Sequence, residues 1–384
     1  MPPAESTPTR ILFLDTGRKY EIEAHYGAKL RLLSARFCGD VVTAGENKLV
    51  EIGRFHVHSL PQSRSKAVAI LRALGEGWRI LRDAAAKGRP VGAIVTYDPL
   101  TTGVLGLILS RAFKIPLMVD VNGDYTAPAN YEDVPNRYAR AVKKKLYVTV
   151  VRFVLRHSDG IKLLYARQLG DVAQALPTST SVRVYPNFLD VSMFRDLGET
   201  RRVAIVGFPF RVKGVDIAVR AFKQISDEFP DWSMEVLGWY VGREKRHLDR
   251  CIDGHPRIKH HPPVFRQAVA DYIGKCAVVV CASRTEGFPR VIKEAMHAGK
   301  ACIVSDVGGL PAIVKHNVSG LVFASEQVDE LARHLQRVMR DPELRKSLGA
   351  AAQTYANDEF SGRRYLEHFA AHVAAVVQKS RRFS

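Results

Sequence analysis

Two carboxylates with seven residues between them, Glu286 and Glu294, have the types and spacing to do chemistry. Glu286 falls on a loop that follows an apolar run, and Glu294 lies about two helical turns further on. A carboxylate accepts two hydrogen bonds at once, which suits the vicinal hydroxyls of a sugar. The spacing alone fits equally a solvated loop acid followed by a helix-surface acid. A second candidate is Lys213, in a loop closed by Gly214, with Arg211 beside it. An ammonium can hold a phosphate, and a guanidinium can do so through two parallel hydrogen bonds. A lone loop lysine is also an ordinary solvated side chain.

The elements around these residues must place them. Ala277 to Ala282 (AVVVCA) reads as a buried parallel strand. A helix is expected from about Arg290 to Ala298, ended by Gly299. A strand at Ala301 to Val304 leads to the glycine loop Gly308-Gly309 and a second helix start. Both loops lie at carboxyl ends of parallel strands, where open α/β sheets bind ligands. Amides at a helix start carry partial positive charge and suit a phosphate.

The rest of the chain also alternates strand and helix. RILFL, residues 10–14, is a first strand running into Asp15-Thr16-Gly17, with Gly17 at a strand-to-helix turn or in a plain turn. A helix follows through about Phe37, then strands beginning at Val41 and at Arg54. A long helix covers Ser63 to Lys87, and Gly92 to Thr96 is another buried strand. Ile115 to Val121 precedes Asn122-Gly123-Asp124; Asp120 and Asp124 either supply a carboxylate or shape the loop. A helix spans Asn136 to His157, another is expected from about Arg167, and Val182 to Val184 is a strand. Arg201 to Val206 opens the second half, and three helices are expected after Glu326. Two doubly wound α/β domains facing a cleft are the architecture this alternation implies.

Several words in the chain resemble a known family. E-G-F-P at 286–289, E-A-M-x-x-G-K at 294–300 and S-D-V-G-G-L-P at 305–311 closely resemble the signature of family-4 glycosyltransferases, retaining nucleotide-sugar enzymes with the GT-B fold. Tyr185-Pro186-Asn187-Phe188-Leu189-Asp190 resembles the family's interdomain linker, and Lys213-Gly214 matches the end of its phosphate loop. The resemblance implies that Glu286 contacts the donor sugar, Glu294 the ribose and Lys213 the diphosphate. It implies a donor site of Gly17, Lys213, Glu286, Gly287, Phe288, Pro289, Arg290 and Glu294, with Glu286, Lys213 and Asn122 as the catalytic residues; Arg211, in the same loop as Lys213, is a further donor-binding candidate for the phosphates. Two positions depart from the family. Asn122 stands where a histidine is usual, and an amide can donate a hydrogen bond but cannot shuttle a proton. Phe208 stands where an arginine is usual. The implied domains are a disordered lead at 1–9, an acceptor-side domain at 10–190, a nucleotide-sugar domain at 191–362, and a helix at 363–384 crossing back to the first domain.

Composition bounds the partners. With 384 residues, 46% hydrophobic and 25% charged, the chain is long enough for two ordinary cores. No apolar run approaches the ~18 residues of a membrane helix, and the first ten residues lack a signal-peptide pattern. Five cysteines without a C-x-x-C read as thiols of a reducing compartment. The histidine pair His260-His261 and the remaining residues show no tidy metal spacing, so neither metal nor cofactor is expected. The formal charge is +18, and residues 136–167 hold nine Lys or Arg against Asp159 alone. An anionic membrane surface is therefore a candidate partner through 136–167. Nucleic acid shares only the charge and lacks a motif. In the helix at 136–157, the stripe Val142, Leu146, Val150, Phe153 and His157 is expected to pack on the sheet.

The expectation is a retaining transfer of a sugar from a nucleotide diphosphate to a glycan or lipid-linked acceptor, in cell-surface polysaccharide or glycolipid synthesis. The setting is cytoplasmic or peripheral on the inner membrane face. The departures at Asn122 and Phe208 keep a second reading open, a non-catalytic nucleotide-sugar-binding protein or partner of an active transferase.

Overall fold

A computed structural model describes residues 8–18, 22–125, 127, 131, 134, 136–170, 176–262 and 265–380. Most of the expected lead at 1–9, much of the helix expected from Arg167 and the end of the basic tail lie outside these residues.

The first unit opens with β1 (Thr9–Arg18), α1 (Ile22–Leu33), β2 (Phe37–Gly45), β3 (Lys48–Ile52), β4 (Phe55–Pro61) and α2 (Lys66–Ala86). It continues with β5 (Ala93–Thr96), α3 (Thr101–Phe113), β6 (Leu117–Asp120), α4 (Arg137–Arg156), β7 (Gly160–Leu163) and β8 (Ser181–Val184). The sheet order is β3-β4-β2-β1-β5-β6-β7-β8. All pairings are parallel except β3 on β4, a hairpin partner not expected from the sequence. The winding reverses between β1 and β5.

The second unit, Leu189–Ser361, holds β9 (Thr200–Val206), α5 (Val215–Ile225), β10 (Ser233–Leu237), α6 (Gly242–Ile252), β11 (Ile258–His261), α7 (Arg266–Lys275) and β12 (Cys276–Cys281). There follow α8 (Arg290–His297), β13 (Ala301–Ser305), α9 (Leu310–Ile313), β14 (Leu321–Phe323), α10 (Val328–Arg340) and α11 (Pro342–Glu359). The order β11-β10-β9-β12-β13-β14 is parallel throughout and reverses between β9 and β12. The last helix, α12 (Gly362–Ser380), belongs to the first unit. There Phe369 stacks on Phe13 at 6.0 Å and meets Phe37 edge-on at 5.3 Å.

Each sheet is covered on both faces. Leu12 and Leu14 of β1 enter one core, and Ile11 and Phe13 the opposite one. Val278 and Val280 of β12 likewise face one core, Val279 and Cys281 the other. A strand buried on both faces has no polar position to spare, which is why AVVVCA is apolar throughout. The five cysteines are free thiols, and burial pushes Cys276 and Cys281 up to about 12. Among the described residues no helix is long and apolar enough to cross a membrane.

Four expectations are corrected. β1 runs on to Arg18, so Gly17 lies in its irregular end rather than in a turn to a helix. α1 stops at Leu33, because Phe37 is already the buried start of β2. The helix after Gly308-Gly309 is the single turn Leu310–Ile313. The fourth concerns α4. It starts at an Asn136 cap whose side chain accepts from the amides of Tyr138 (2.8 Å) and Ala139 (3.2 Å). Its buried residues are Val151, Val154 and Leu155, all near its end. Val154 seats against Gly103 of α3, where a Cβ would lie 2.9 Å from its Cγ1. Val142, Leu146 and Phe153 are 66%, 59% and 56% exposed, so these members of the expected core stripe face solvent, while the half-buried Val150 does pack against the core.

Candidate active site

The β9/β12 switch point brings two loops together. After β9, the chain turns tightly: the Lys213 amide donates to Pro209 O at 2.9 Å and the Val215 amide to Phe210 O at 3.2 Å. Gly214 has φ +60°, and a Cβ there would sit 1.8 Å from the carbonyl oxygen of Ala282, just after β12. Only glycine lets this loop press so closely on the end of the neighbouring strand. The Lys213 stem runs across Gly207, and its ammonium pairs with Glu286 Oε1. Ser283 Oγ donates to that same oxygen at 2.9 Å. Lys213 and Glu286, 73 residues apart in sequence, thus share one site.

The Glu286 loop is braced from β13. Gly308 has φ +56°, and a Cβ there would meet Glu286 O at 1.8 Å. The Gly309 amide donates to Gly287 O at 3.0 Å. The amide expected to face a phosphate is therefore used inside the protein, and the single-turn α9 adds little dipole. Phe288 is half-buried and meets the Phe360 ring edge-on at 6.0 Å. Pro289 is the buried residue before α8, and Arg290, its first residue, is exposed.

Glu294 is buried on α8. Burial raises its carboxyl pKa against the opposing pull of Arg266, Arg290 and Lys293. Arg266 Nη2 lies 3.4 Å from Glu294 Oε1 and donates to Asp190 O at 2.5 Å, while its Nε is buried with no partner among the described residues. A buried carboxylate needs a cation, and that requirement is the signal by which Arg266 could have been sought.

Arg284, which no local pattern singles out, is a second such residue. Its guanidinium grips Asp216 through two bonds of 2.8 and 2.9 Å and Glu326 through two of 2.5 and 2.9 Å. It also donates to Arg211 O at 2.6 Å, and its amide donates to Val212 O at 2.8 Å. One side chain thus fastens the Lys213 loop, α5 and the approach to α10. Burial alone would raise Asp216, but Arg284's hydrogen bonds and charge outweigh it and hold this carboxyl below the ordinary range. The Arg211 side chain is exposed, as is Phe208 at 50%.

Asn122 and Gly17 lie in the first unit. Asn122 Nδ2 donates to Tyr97 O and its Oδ1 accepts from Asn187 Nδ2, both at 2.7 Å. Asn187 Oδ1 in turn accepts from the buried Lys162, which lies 3.4 Å from Asp120 Oδ2. The linker word Pro186-Asn187 therefore does more than end a domain: it orients the Asn122 amide. Gly17 N–H donates to Asp15 Oδ1 at 3.0 Å.

Two family models match this chain. "Glycosyl transferase 4-like domain" covers residues 28–187, and "Glycosyl transferases group 1" covers 196–355. The chain belongs to the family-4 glycosyltransferases. The D-inositol 3-phosphate glycosyltransferase of Jonesia denitrificans is 26% identical over 79% of this chain and 75% of the relative. Alignments with three further curated relatives span 62%, 64% and 70% of their lengths. Among solved structures, sucrose-phosphate synthase from Thermosynechococcus elongatus matches with TM-score 0.74 at 20% identity, over 94% of this chain and 100% of that one. Anabaena HepE in complex with UDP-glucose matches with TM-score 0.71 at 18% identity, over 95% and 99%. Both likenesses are of fold, and the fold is GT-B. In the second unit of this glycosyltransferase the strand order reverses between β9 and β12, and Lys213 and Glu286 stand at that switch point.

Proposed function

We propose that this glycosyltransferase retains configuration at the transferred sugar and takes it from a nucleotide diphosphate donor without a metal. The observation that carries the reading is the Lys213–Glu286 pair at the β9/β12 switch point. Lys213 places a cation where the leaving diphosphate gathers negative charge. One well-placed donor of this kind lowers a barrier by about 3–4 kcal/mol. Glu286 holds the sugar hydroxyls and Glu294 the ribose, fixing geometry before reaction. The bond from C1 to the diphosphate oxygen breaks with its electron pair going to that oxygen. The acceptor hydroxyl oxygen bonds C1 on the same face, and its proton passes to the departing phosphate. No side chain need take the proton, which agrees with an amide at Asn122.

The acceptor is a glycan or a lipid-linked molecule of cell-surface polysaccharide or glycolipid synthesis, met at an anionic membrane surface on the cytoplasmic side. The charge of residues 136–167 supports this surface. A thermal-shift screen with UDP, GDP, ADP and their sugar conjugates tests the donor, starting from UDP-glucose. A ligand at ~100 times its dissociation constant adds about 2.7 kcal/mol. A response to one nucleotide, lost in Lys213→Ala and Glu294→Ala, supports the assignment; a flat screen refutes it. Turnover unchanged by a chelator supports metal-free transfer, and the anomeric configuration of the product decides retention.

A further inference from the structure

The basic helix α4 carries a solvent-facing apolar stripe, and the two features together define a partner. Tyr138, Val142, Leu146 and Phe153 are 67%, 66%, 59% and 56% exposed. At three to four residues per step they share one face, extending roughly 22 Å along the axis at about 1.5 Å per residue. Thr149 lies within the stripe and is exposed. The face opposite is the one that carries Val151, Val154 and Leu155 into the core. Four large apolar side chains aligned in solvent form a contiguous patch, unlike scattered exposed residues.

The charge around the stripe selects its occupant. α4 holds Arg137, Arg140, Lys143, Lys144, Lys145, Arg152 and Arg156 and no acid. Lys145 and Arg152 border the stripe, Arg156 continues it, and all three are exposed. Among the described residues Lys144, Lys145, Arg152 and Arg156 enter no ion pair. A second copy of this chain would set the same cations against each other. Nucleic acid would satisfy the cations and leave the apolar residues in water. An anionic bilayer satisfies both, with acyl chains for the stripe and phosphates for its border.

We propose that α4 lies in the plane of an anionic bilayer with Tyr138, Val142, Leu146 and Phe153 inserted at the acyl boundary. This rests on the reading that the enzyme works at an anionic membrane surface, and it adds insertion to mere attraction. Phe153 is seated at depth, while Lys145, Arg152 and Arg156 reach the headgroups, their stems lying along the apolar surface.

The test uses the full chain and flotation with vesicles of phosphatidylcholine alone or mixed with phosphatidylglycerol. The expected result is binding to the anionic vesicles only, lowered at least tenfold by Leu146→Ser with Phe153→Ser. Bound protein should also resist release at about 1 M salt, where the screening length falls to about 3 Å. A Phe153→Trp variant should gain emission that quenchers on the acyl chains remove. The serine variant should keep the parent's melting temperature, since both side chains are exposed. If charge reversal at Lys144, Lys145 and Arg152 abolishes binding but the serine variant and acyl quenchers change nothing, insertion is overturned and the surface reading stands. No binding to anionic vesicles overturns both. Equal binding to neutral vesicles overturns the role of the charged border. Self-association in sedimentation, lost in the serine variant and without vesicle binding, assigns the face to a second copy and overturns the proposal.

Discussion

Replacing Arg284 by alanine should destabilise the second unit and do so in a pH-dependent way. The side chain makes four contacts of 2.5–2.9 Å with two carboxylates. Arg284 and Asp216 are 12% and 19% exposed, so this half of the clamp is largely desolvated. Breaking a fully buried pair costs about 3–5 kcal/mol, and an exposed one under about 1. The Asp216 contact belongs between these limits, and the Glu326 contact, at 53% exposure, near the lower one. The expected total is about 2–4 kcal/mol. At about 2–4 °C per kcal/mol for a unit of this size, the melting temperature should fall by roughly 4–16 °C. The sign with pH follows from Asp216, whose pKa is depressed in the folded chain. Its contribution is fully present above the unfolded value of about 3.9 and is lost as pH falls through the folded value. The gap between parent and Arg284→Ala should therefore narrow below about pH 4. Circular dichroism melts over a pH series measure this, and a cycle with Asp216→Asn isolates the pair. A drop below about 2 °C at neutral pH, a gap that stays constant into acid, or zero coupling in the cycle would refute the clamp.

The other expectations concern the site directly. Gly214→Ala and Gly308→Ala each force a Cβ to within 1.8 Å of a carbonyl oxygen at positive φ, and each should cost at least the ~1–2 kcal/mol of a left-handed residue, read by urea unfolding. Glu294→Gln should leave the melting temperature unchanged or higher, because burial penalises the charged carboxyl, yet it should lose the nucleotide shift; a large drop in stability would contradict the burial assignment. Because that pKa is raised, nucleotide affinity in the parent should weaken as pH falls into the range where Glu294 takes a proton, which a binding titration over pH would show. Lys213→Ala should lower turnover by about 100- to 1,000-fold. Asn122→Ala should lower turnover more than donor affinity, and an equal loss of both counts against an effect on the chemical step.

The sequence by itself determined what local pattern can carry. The central strands of each sheet are largely apolar runs, so the α/β class was legible in AVVVCA and its counterparts, although buried polar residues such as Asp40, Asp120, Lys162 and Glu235 also stand in strands. Glu286, Glu294 and Lys213 stood out by the words around them, while the close approach of Gly214 to Ala282 and of Gly308 to the Glu286 loop came only from the tertiary structure. Other features depended on partners distant in the chain. Arg284 reaches Glu326 across 42 residues, and Arg266 reaches Glu294 across 28. Asn187 bonds Asn122 across 65, which turned a linker residue into a positioning one. No local window contains such pairs. The Gly309 amide could be read from sequence as a free donor, and only the packing of one loop on another used it up. The α4 helix shows the limit most plainly. Its periodicity establishes that an apolar stripe exists, but period alone does not say which side the sheet takes. Val151, Val154 and Leu155 make the contacts near the end of the helix. The tertiary structure left Val142, Leu146 and Phe153 to solvent because they lie on the face of α4 opposite Val151, Val154 and Leu155, the face it turns to its neighbours.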